Sequence, residues 1–414
     1  MILLRRRRWT ASVIAFLAVM GPGIITGFAG NDAGGVTTYT AVGAHYGYAM
    51  LWLLLVSTIG LIVVQEMCAR MGAVTGKGLS DLIRETFGVR WTLVAMLALL
   101  VANGSNVVAE FAGIAASLEL LHLPRALSVP IAALAIWAVV VFFDYRTVER
   151  TLFVLVMAYV AYPITAVIAR PDWGQVTRGF IIPSIPTDQA ALVAALALVG
   201  TTITPYMQFY LQASIVDKGI DLDAYRLTRV DVISGAVLTG LNAFFMIVVA
   251  GAVLRPHGVV VEAAEDAALA LGPLAGQAAT LLFGIGLFGA SMLAATVMPL
   301  STAYAVTEAF GWESGISKRF GEAPIFMGLF TFLLAGGAAV VAFTNLPLIP
   351  LIVVSQDVNG LLLPVVLVFI LRLANDRVLM KDYTNGPLAR WLGAGVVALA
   401  SVLSLALVTV SLLP

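Results

Sequence analysis

Charged side chains are few. Asp, Glu, Lys and Arg make up 11% of the 414 residues, where a soluble domain carries about 25%. With 61% hydrophobic residues and a mean hydropathy of +1.00, the composition excludes an ordinary soluble fold. It implies a polytopic protein of the lipid bilayer. Cys68 is the one cysteine, which excludes an intrachain disulfide and a thiolate metal cluster. Histidine is rare as well: His45, His122 and His257 all lie at or near the ends of apolar runs. Paired acids such as Asp-x-x-x-Asp and His–Glu clusters are missing from every plausible span. That argues against a membrane-embedded metalloenzyme, so neither enzyme activity nor a cofactor is expected. Strand-like alternation is missing too, and the class is all-α. No soluble domain or long linker shows in the composition, so residues 1–414 read as one transmembrane domain. The formal net charge is zero. Charge therefore makes no case for nucleic acid, and neither nucleic acid nor an obligate protein partner is expected.

Long apolar runs are what the chain has instead. A span needs about 20 mostly apolar residues, and eleven segments qualify: roughly 11–44, 46–69, 91–121, 126–143, 151–169, 188–215, 230–254, 274–309, 323–343, 347–373 and 389–413. The start, "MILLRRRRWTASVIAFLAVMG", is basic and then apolar without a convincing cleavage site. It is expected to remain as part of the first helix. If the segments alternate, all 23 Lys and Arg residues except Arg125, Arg170, Arg178 and Arg255 fall on the side of the N-terminus. This predicts N-inside and C-outside. The longest external connection, "ARPDWGQVTRGFIIPSIPTDQ" (169–189), separates the first five spans from the rest.

Two spans contain residues that do not suit a regular membrane helix. The first is interrupted at Gly30-Asn31-Asp32-Ala33-Gly34-Gly35, with a carboxylate at mid-membrane. The sixth is interrupted between Gly200 and Gln208, "GTTITPYMQ". There Pro205 lacks an N–H and pushes Thr204 out of helical geometry. Each interrupted span opens a unit of five, about 11–169 and 188–373, with 389–413 as an additional helix. Breaks at matching points of two halves point to a transporter site at the membrane midplane. Freed carbonyls beside a carboxylate make a hard, oxygen-rich cup suited to a cation. Asn103, Asn106 and Glu110 share one helix face, as a polar path or as interhelical hydrogen bonds. Glu66 is expected to be solvated or paired with a nearby Arg, and Asp357 to pair with a neighbouring polar group.

Residues 21–85, opening "GPGIITGFAGNDAGGVTTYT", resemble the first two helices of Nramp-family divalent-metal transporters. "AEFAGIA" (109–115), "GTTITPYMQFYLQASIV" (200–216) and "VVSQDVNGLLLPVVLVFILRLANDRVLM" (353–380) resemble the third, sixth and tenth helices. The likeness runs from about residue 10 to 380. It implies a LeuT-type inverted repeat of five plus five spans, alternating access, a divalent metal ion as substrate, and the bacterial cytoplasmic membrane as location. Carried over residue by residue, the metal site falls on Asp32, Gly35, Thr201, Thr204 and Gln356.

The departures from the family pattern are informative. Where the family has Asp-Pro-Gly-Asn, this chain has Asp32-Ala33-Gly34-Gly35, so the acid is kept and the Asn ligand is replaced by a glycine. Where the family has Ala-x-x-Met-Pro-His, this chain has Thr201-Thr202-Ile203-Thr204-Pro205-Tyr206. The thioether becomes the Thr204 hydroxyl. Sulfur favours transition metals, whereas hydroxyl, carbonyl and carboxylate oxygens favour Mg²⁺, Ca²⁺ and Mn²⁺. A wide, hard cup suits a partly hydrated ion, so the pattern is similar to the Nramp-related magnesium transporters. The plain alternative is that Thr201 and Thr204 bond their own preceding carbonyls. The family's proton route uses Asp-Leu-Ala-Glu in the third helix and the sixth-helix His. Here those positions read Val107-Val108-Ala109-Glu110 and Tyr206. The resulting expectation is a uniporter for Mg²⁺ and Mn²⁺, not coupled to protons, with Asn106, Glu110 and Tyr206 along a polar path. The alternatives are a proton-coupled Mn²⁺ or Fe²⁺ importer of the ordinary family type, and an amino-acid transporter of the same fold. Asp32 would repel the carboxylate substrate of the latter.

Overall fold

The computed structural model describes residues 21–184, 189–261, 266, 268, 271, 276–344 and 348–412. All regular structure among them is helical. The first span is a pair, α1 (Pro22–Ala29) and α2 (Ala33–Tyr46). It is followed by α3 (Leu51–Thr75), the short α4 (Leu79–Phe87), α5 (Val89–Glu119) and α6 (Arg125–Phe142). The fifth span is α7 (Tyr145–Met157), a 3-10 turn (Ala158–Val160) and α8 (Ala161–Ala169). The short α9 (Trp173–Ile181) leads to a second pair, α10 (Gln189–Thr202) and α11 (Pro205–Asp217). Then come α12 (Leu222–Val253), α13 (Gln277–Phe310), α14 (Pro324–Phe343), α15 (Leu348–Asn375), the short α16 (Arg377–Met380) and α17 (Pro387–Leu412).

Nine of the membrane-spanning segments are long and apolar enough to cross a bilayer among the described residues. With α1–α2 and α15 they occupy the places of the eleven expected spans, residues 11–20 of the first lying outside the described residues. Two connections hold helices that hydropathy did not show. The 169–189 connection contains α9, and the turn after α3 contains α4. Both are short and amphipathic, so a search for 20-residue apolar runs passes over them. Asp172 caps α9. Its carboxyl is held below the usual carboxylate range by the Gln175 side chain and by the Gln175 and Gly174 amides.

The helices form two groups. α12 packs along α1, α2 and α3, with α10 against α2 and α3 and α11 against α1 and α3. α13 packs along α5, and α14 lies against α5, α6 and α13. α15 packs on α5, with α17 outside it. The first group is held together by backbones in contact. A Cβ on Gly23 would stand 2.5 Å from the Val232 backbone, and one on Gly235 would stand 2.3 Å from the Gly23 carbonyl. Only glycine lets α1 approach α12 this closely. Asp231 of α12 then accepts the Gly21 amide at 3.2 Å and the Gly23 amide at 2.7 Å, satisfying the open N-terminus of α1. At the end of α3, Glu66 pairs with Arg70 at 3.3 Å, as expected, and also meets Tyr225 and Arg229 of α12. Arg70 continues this network to Tyr383 and Asn385.

Candidate functional site

The break of the first span is shorter than its sequence suggests. Helix α1 stops at Ala29, and only Gly30, Asn31 and Asp32 are non-helical. Ala33, Gly34 and Gly35, expected to lie inside the interruption, form the first turn of α2. Asp32 is the physical reason. It adopts extended backbone angles and its Oδ1 accepts the Gly35 amide at 2.6 Å, making it the N-cap of α2. The second break narrows likewise to Ile203 and Thr204. Thr204 precedes Pro205, the first residue of α11. Because Pro205 has no N–H, the Thr201 carbonyl has no helical donor four residues on.

The breaks face each other. A Cβ built on Gly35 would lie 3.1 Å from the Gly30 carbonyl oxygen, 3.2 Å from Asp32 Oδ1 and 3.2 Å from Thr201 Oγ1. Three oxygens from both broken spans therefore converge on the bare face of Gly35. Its contribution is space and an N–H to Asp32, not a donor atom. Asp32, Thr201 and Thr204 are each 2% exposed, so the cluster is shut off from solvent.

The hydroxyls sort themselves. Thr201 Oγ1 and Thr204 Oγ1 are buried and hydrogen-bond to nothing among the described residues. The Thr204 side chain lies toward the Tyr206 hydroxyl, short of hydrogen-bonding geometry. It is Thr202, not singled out in the sequence, that bonds back to its own helix. Its Oγ1 donates to the Leu198 carbonyl at 2.6 Å and meets the Tyr39 hydroxyl at 3.1 Å. The backward-bonding alternative for Thr201 and Thr204 is therefore not what the structure shows. An unpartnered buried hydroxyl is costly, and that of Thr201, converging with the Asp32 carboxylate on Gly35, makes a ready donor for a cation.

Other side chains close the site. Tyr206 donates to the Ala29 carbonyl at 2.6 Å and reaches Asp32 Oδ2 at 3.5 Å. It thereby touches both the end of α1 and the acid of the first break. Glu110 accepts the Ala33 amide at 3.1 Å, so a second carboxyl stands at the start of α2. Of the three residues on that face of α5, Asn103 makes an interhelical bond to Thr302 at 2.8 Å. Asn106 is buried with neither amide atom bonded among the described residues. Gln356 lies on α15, but its side chain and that of Asp357 fall outside the described residues. The three histidines lie at helix ends, away from the breaks.

Several contributors were not legible in the sequence. Asn31 donates to the Thr239 carbonyl at 3.0 Å, and Tyr159 reaches the end of α1. Gln65 is fully buried with both amide atoms unbonded among the described residues. On α3 it lies between Gly60, which packs on Ile203, and Cys68, which meets Gln208 at 3.8 Å. That register sets it level with the second break. Met207 Sδ would lie 2.6 Å from a Cβ on Gly30. Position 204 has lost the family's sulfur, yet a thioether still packs against the first break.

Solved and curated proteins resemble this chain along nearly its full length. A crystal structure of the Eremococcus coleocola manganese transporter superposes with a TM-score of 0.80 at 22% identity, covering 94% of this chain and 86% of that one. This establishes the fold. The "Divalent metal cation transporter MntH" of Caldanaerobacter subterraneus is 27% identical over 405 residues, 94% of this chain and 92% of its relative. That of Aeromonas hydrophila is 29% identical over 398 residues, 92% of this chain and 93% of the relative. The profile of the Nramp family, natural resistance-associated macrophage protein-like, matches residues 23–410. The chain belongs to the Nramp family, whose members are transporters and not enzymes.

Proposed function

We propose that this protein carries hard divalent metal ions, Mn²⁺ among them, across a bacterial cytoplasmic membrane by alternating access. The ion binds between the two helix breaks. The observation that carries the reading is the convergence of Gly30 O, Asp32 Oδ1 and Thr201 Oγ1 on the face of Gly35. An all-oxygen set with one first-rank carboxylate suits Mn²⁺ as well as Mg²⁺. The relatives are named for divalent metal cations, and the structural neighbour is a manganese transporter. These names support Mn²⁺ import of the ordinary family type at least as well as a magnesium branch. Glu110 supports that type too. It supplies a titratable group beside Asp32 where residue 206 is no longer a histidine, so proton coupling is the reading we adopt over the uncoupled uniport expected from Val107 and Tyr206 alone. Mg²⁺ as a second substrate is favoured by the unbonded Thr201 and Thr204 hydroxyls and by the room at Gly35. A positively charged cytoplasmic face, the two five-span repeats at about 11–169 and 188–373, and a role for Gln356 in the site complete the proposal.

Proteoliposome uptake of Mn²⁺, Mg²⁺ and Ca²⁺, with a trapped pH dye and Asp32→Ala alongside, tests it. Wild-type Mn²⁺ uptake with internal acidification, lost in Asp32→Ala, is the expected result. Mn²⁺ or Mg²⁺ flux without acidification would return the account to uncoupled uniport. Flux indifferent to Asp32→Ala would overturn the site.

A further inference from the structure

We infer that Tyr159 is a positioning residue that sets ion specificity, by keeping the Asn31 backbone oxygen of the first break away from the ion. The inference rests on the transport reading above. Tyr159 sits in the 3-10 turn of the fifth span, a segment with no assigned part in the site. It is fully buried. Its hydroxyl lies 2.7 Å from the Phe28 carbonyl and 3.2 Å from the Asn31 carbonyl, and it donates its single proton between them. The Phe28 carbonyl also accepts the Asn31 amide at 3.0 Å, whereas Tyr159 is the donor the structure gives the Asn31 carbonyl. That carbonyl belongs to the peptide that leads directly into Asp32.

Tyr206 treats the Ala29 carbonyl in the same way. Between them the two tyrosines occupy the carbonyls on either side of Gly30, and the Gly30 oxygen is the one left facing Gly35. The number of oxygens offered decides between ions. Ca²⁺ takes six to eight oxygens and gives up its water readily, whereas Mg²⁺ holds its waters and accepts few protein ligands. A break that withholds carbonyls therefore favours the ion that arrives hydrated. Removing the Tyr159 hydroxyl returns the Asn31 oxygen to the cup and moves preference toward Ca²⁺. The Tyr159 ring packs on Phe28 at 4.9 Å, and phenylalanine preserves that contact, so the change is confined to the donor.

The test is Mn²⁺ uptake into proteoliposomes competed by Ca²⁺ and by Mg²⁺, comparing wild type, Tyr159→Phe and Tyr162→Phe. Tyr162 is the control. It lies beside Tyr159, at 6.1 Å between rings, and its buried hydroxyl bonds to nothing among the described residues. The ratio of half-inhibiting concentrations is expected to move toward Ca²⁺ by about fivefold in Tyr159→Phe, the equivalent of one hydrogen bond, and to stay at the wild-type value in Tyr162→Phe. An unchanged ratio in Tyr159→Phe, or an equal shift in both variants, would overturn the role of Tyr159 and leave the transport reading standing. Wild-type vesicles that move no Mn²⁺ would overturn both. If Tyr159→Phe does not reconstitute, the same ratio is read from the metal dependence of its Tm in detergent, which needs no flux.

Discussion

Glu110 of α5 accepts the amide of Ala33 at 3.1 Å, at the turn that Asp32 caps from within. Two carboxyls thus meet the positive end of one half-helix, one from each helix group, and the start of α2 becomes the point where the groups are joined. Glu110→Gln keeps an acceptor for the Ala33 amide but removes the group that can take up and release a proton. The folded protein is expected to survive with an unchanged Tm. The KM for Mn²⁺ should rise by at least about tenfold, the scale of one charge acting on a divalent ion at short range in a protein interior. The acidification signal should disappear. Paired uptake and dye measurements check this, and a variant with wild-type KM and acidification would place Glu110 outside the transport chemistry.

Gly35 separates stability from function. Gly35→Ala puts a methyl group 3.1–3.2 Å from three oxygens. In the first turn of a helix, alanine is also favoured over glycine by up to about 1 kcal/mol. Thermal stability is expected to hold or rise while Mg²⁺ and Mn²⁺ uptake falls roughly tenfold, the effect of about 1.4 kcal/mol. A Tm that falls together with activity would mean that Gly35 is needed for packing and not for room at the site.

Adjacent threonines give opposite signatures. Thr202→Val removes the bonds to Leu198 and Tyr39 and leaves the Tyr39 hydroxyl buried without its partner. The cost is about 1–3 kcal/mol, visible as a lower Tm with KM little changed. Thr201→Val removes an oxygen that bonds to nothing among the described residues. Its Tm is expected to stay or rise while affinity for the ion falls. Tm and KM measured on both variants would contradict the site if the two patterns were exchanged.

In the exposed 169–189 connection, Asp172 provides a pH reporter away from the ion. Hydrogen bonds from Gln175 and Gly174 hold its carboxyl below the unfolded value of about 3.9. A depressed folded pKa gives stability that is fully present above the unfolded pKa and is lost as pH falls through the folded one. Amide exchange in α9 should be constant from neutral pH to about pH 4, after correction for the intrinsic rate, and accelerate below it. Asp172→Ala should show the faster exchange at every pH.

The two breaks were readable because each is written in local chemistry. Pro205 cannot continue a hydrogen-bond ladder, and an aspartate within an apolar run needs a reason. The exact edges of the first break were not readable, since Asp32 is both the suspected ligand and the cap that restarts the helix at Ala33. Glycines 34 and 35 looked like breakers and are instead helical residues, of which Gly35 leaves room beside three oxygens. What pairs with what across the bundle depends on packing that spacing does not encode. Glu110 was visible as a buried acid, but its contact with Ala33 requires α5 to cross the start of α2. Thr201, Thr202 and Thr204 are chemically alike, and only the rotation of α10 against α2 decides which one bonds backward. Tyr159 and Gln65 looked like ordinary residues of apolar helices. Their roles come from a 3-10 turn and from the register of α3, and neither is signalled by residue type. The composition test for long apolar runs located the spans and, by its nature, passed over the two short amphipathic helices α4 and α9.

The central claim is where the ion sits. Crystals of the wild-type protein soaked in Mn²⁺, with data collected at a wavelength where manganese scatters anomalously, test it most directly. The account predicts one strong peak in the midplane, in metal–oxygen contact with Asp32 and bounded by Gly30, Gly35 and Thr201, and its loss in Asp32→Ala. A peak elsewhere in the bundle, or one that survives that substitution unchanged, would contradict it.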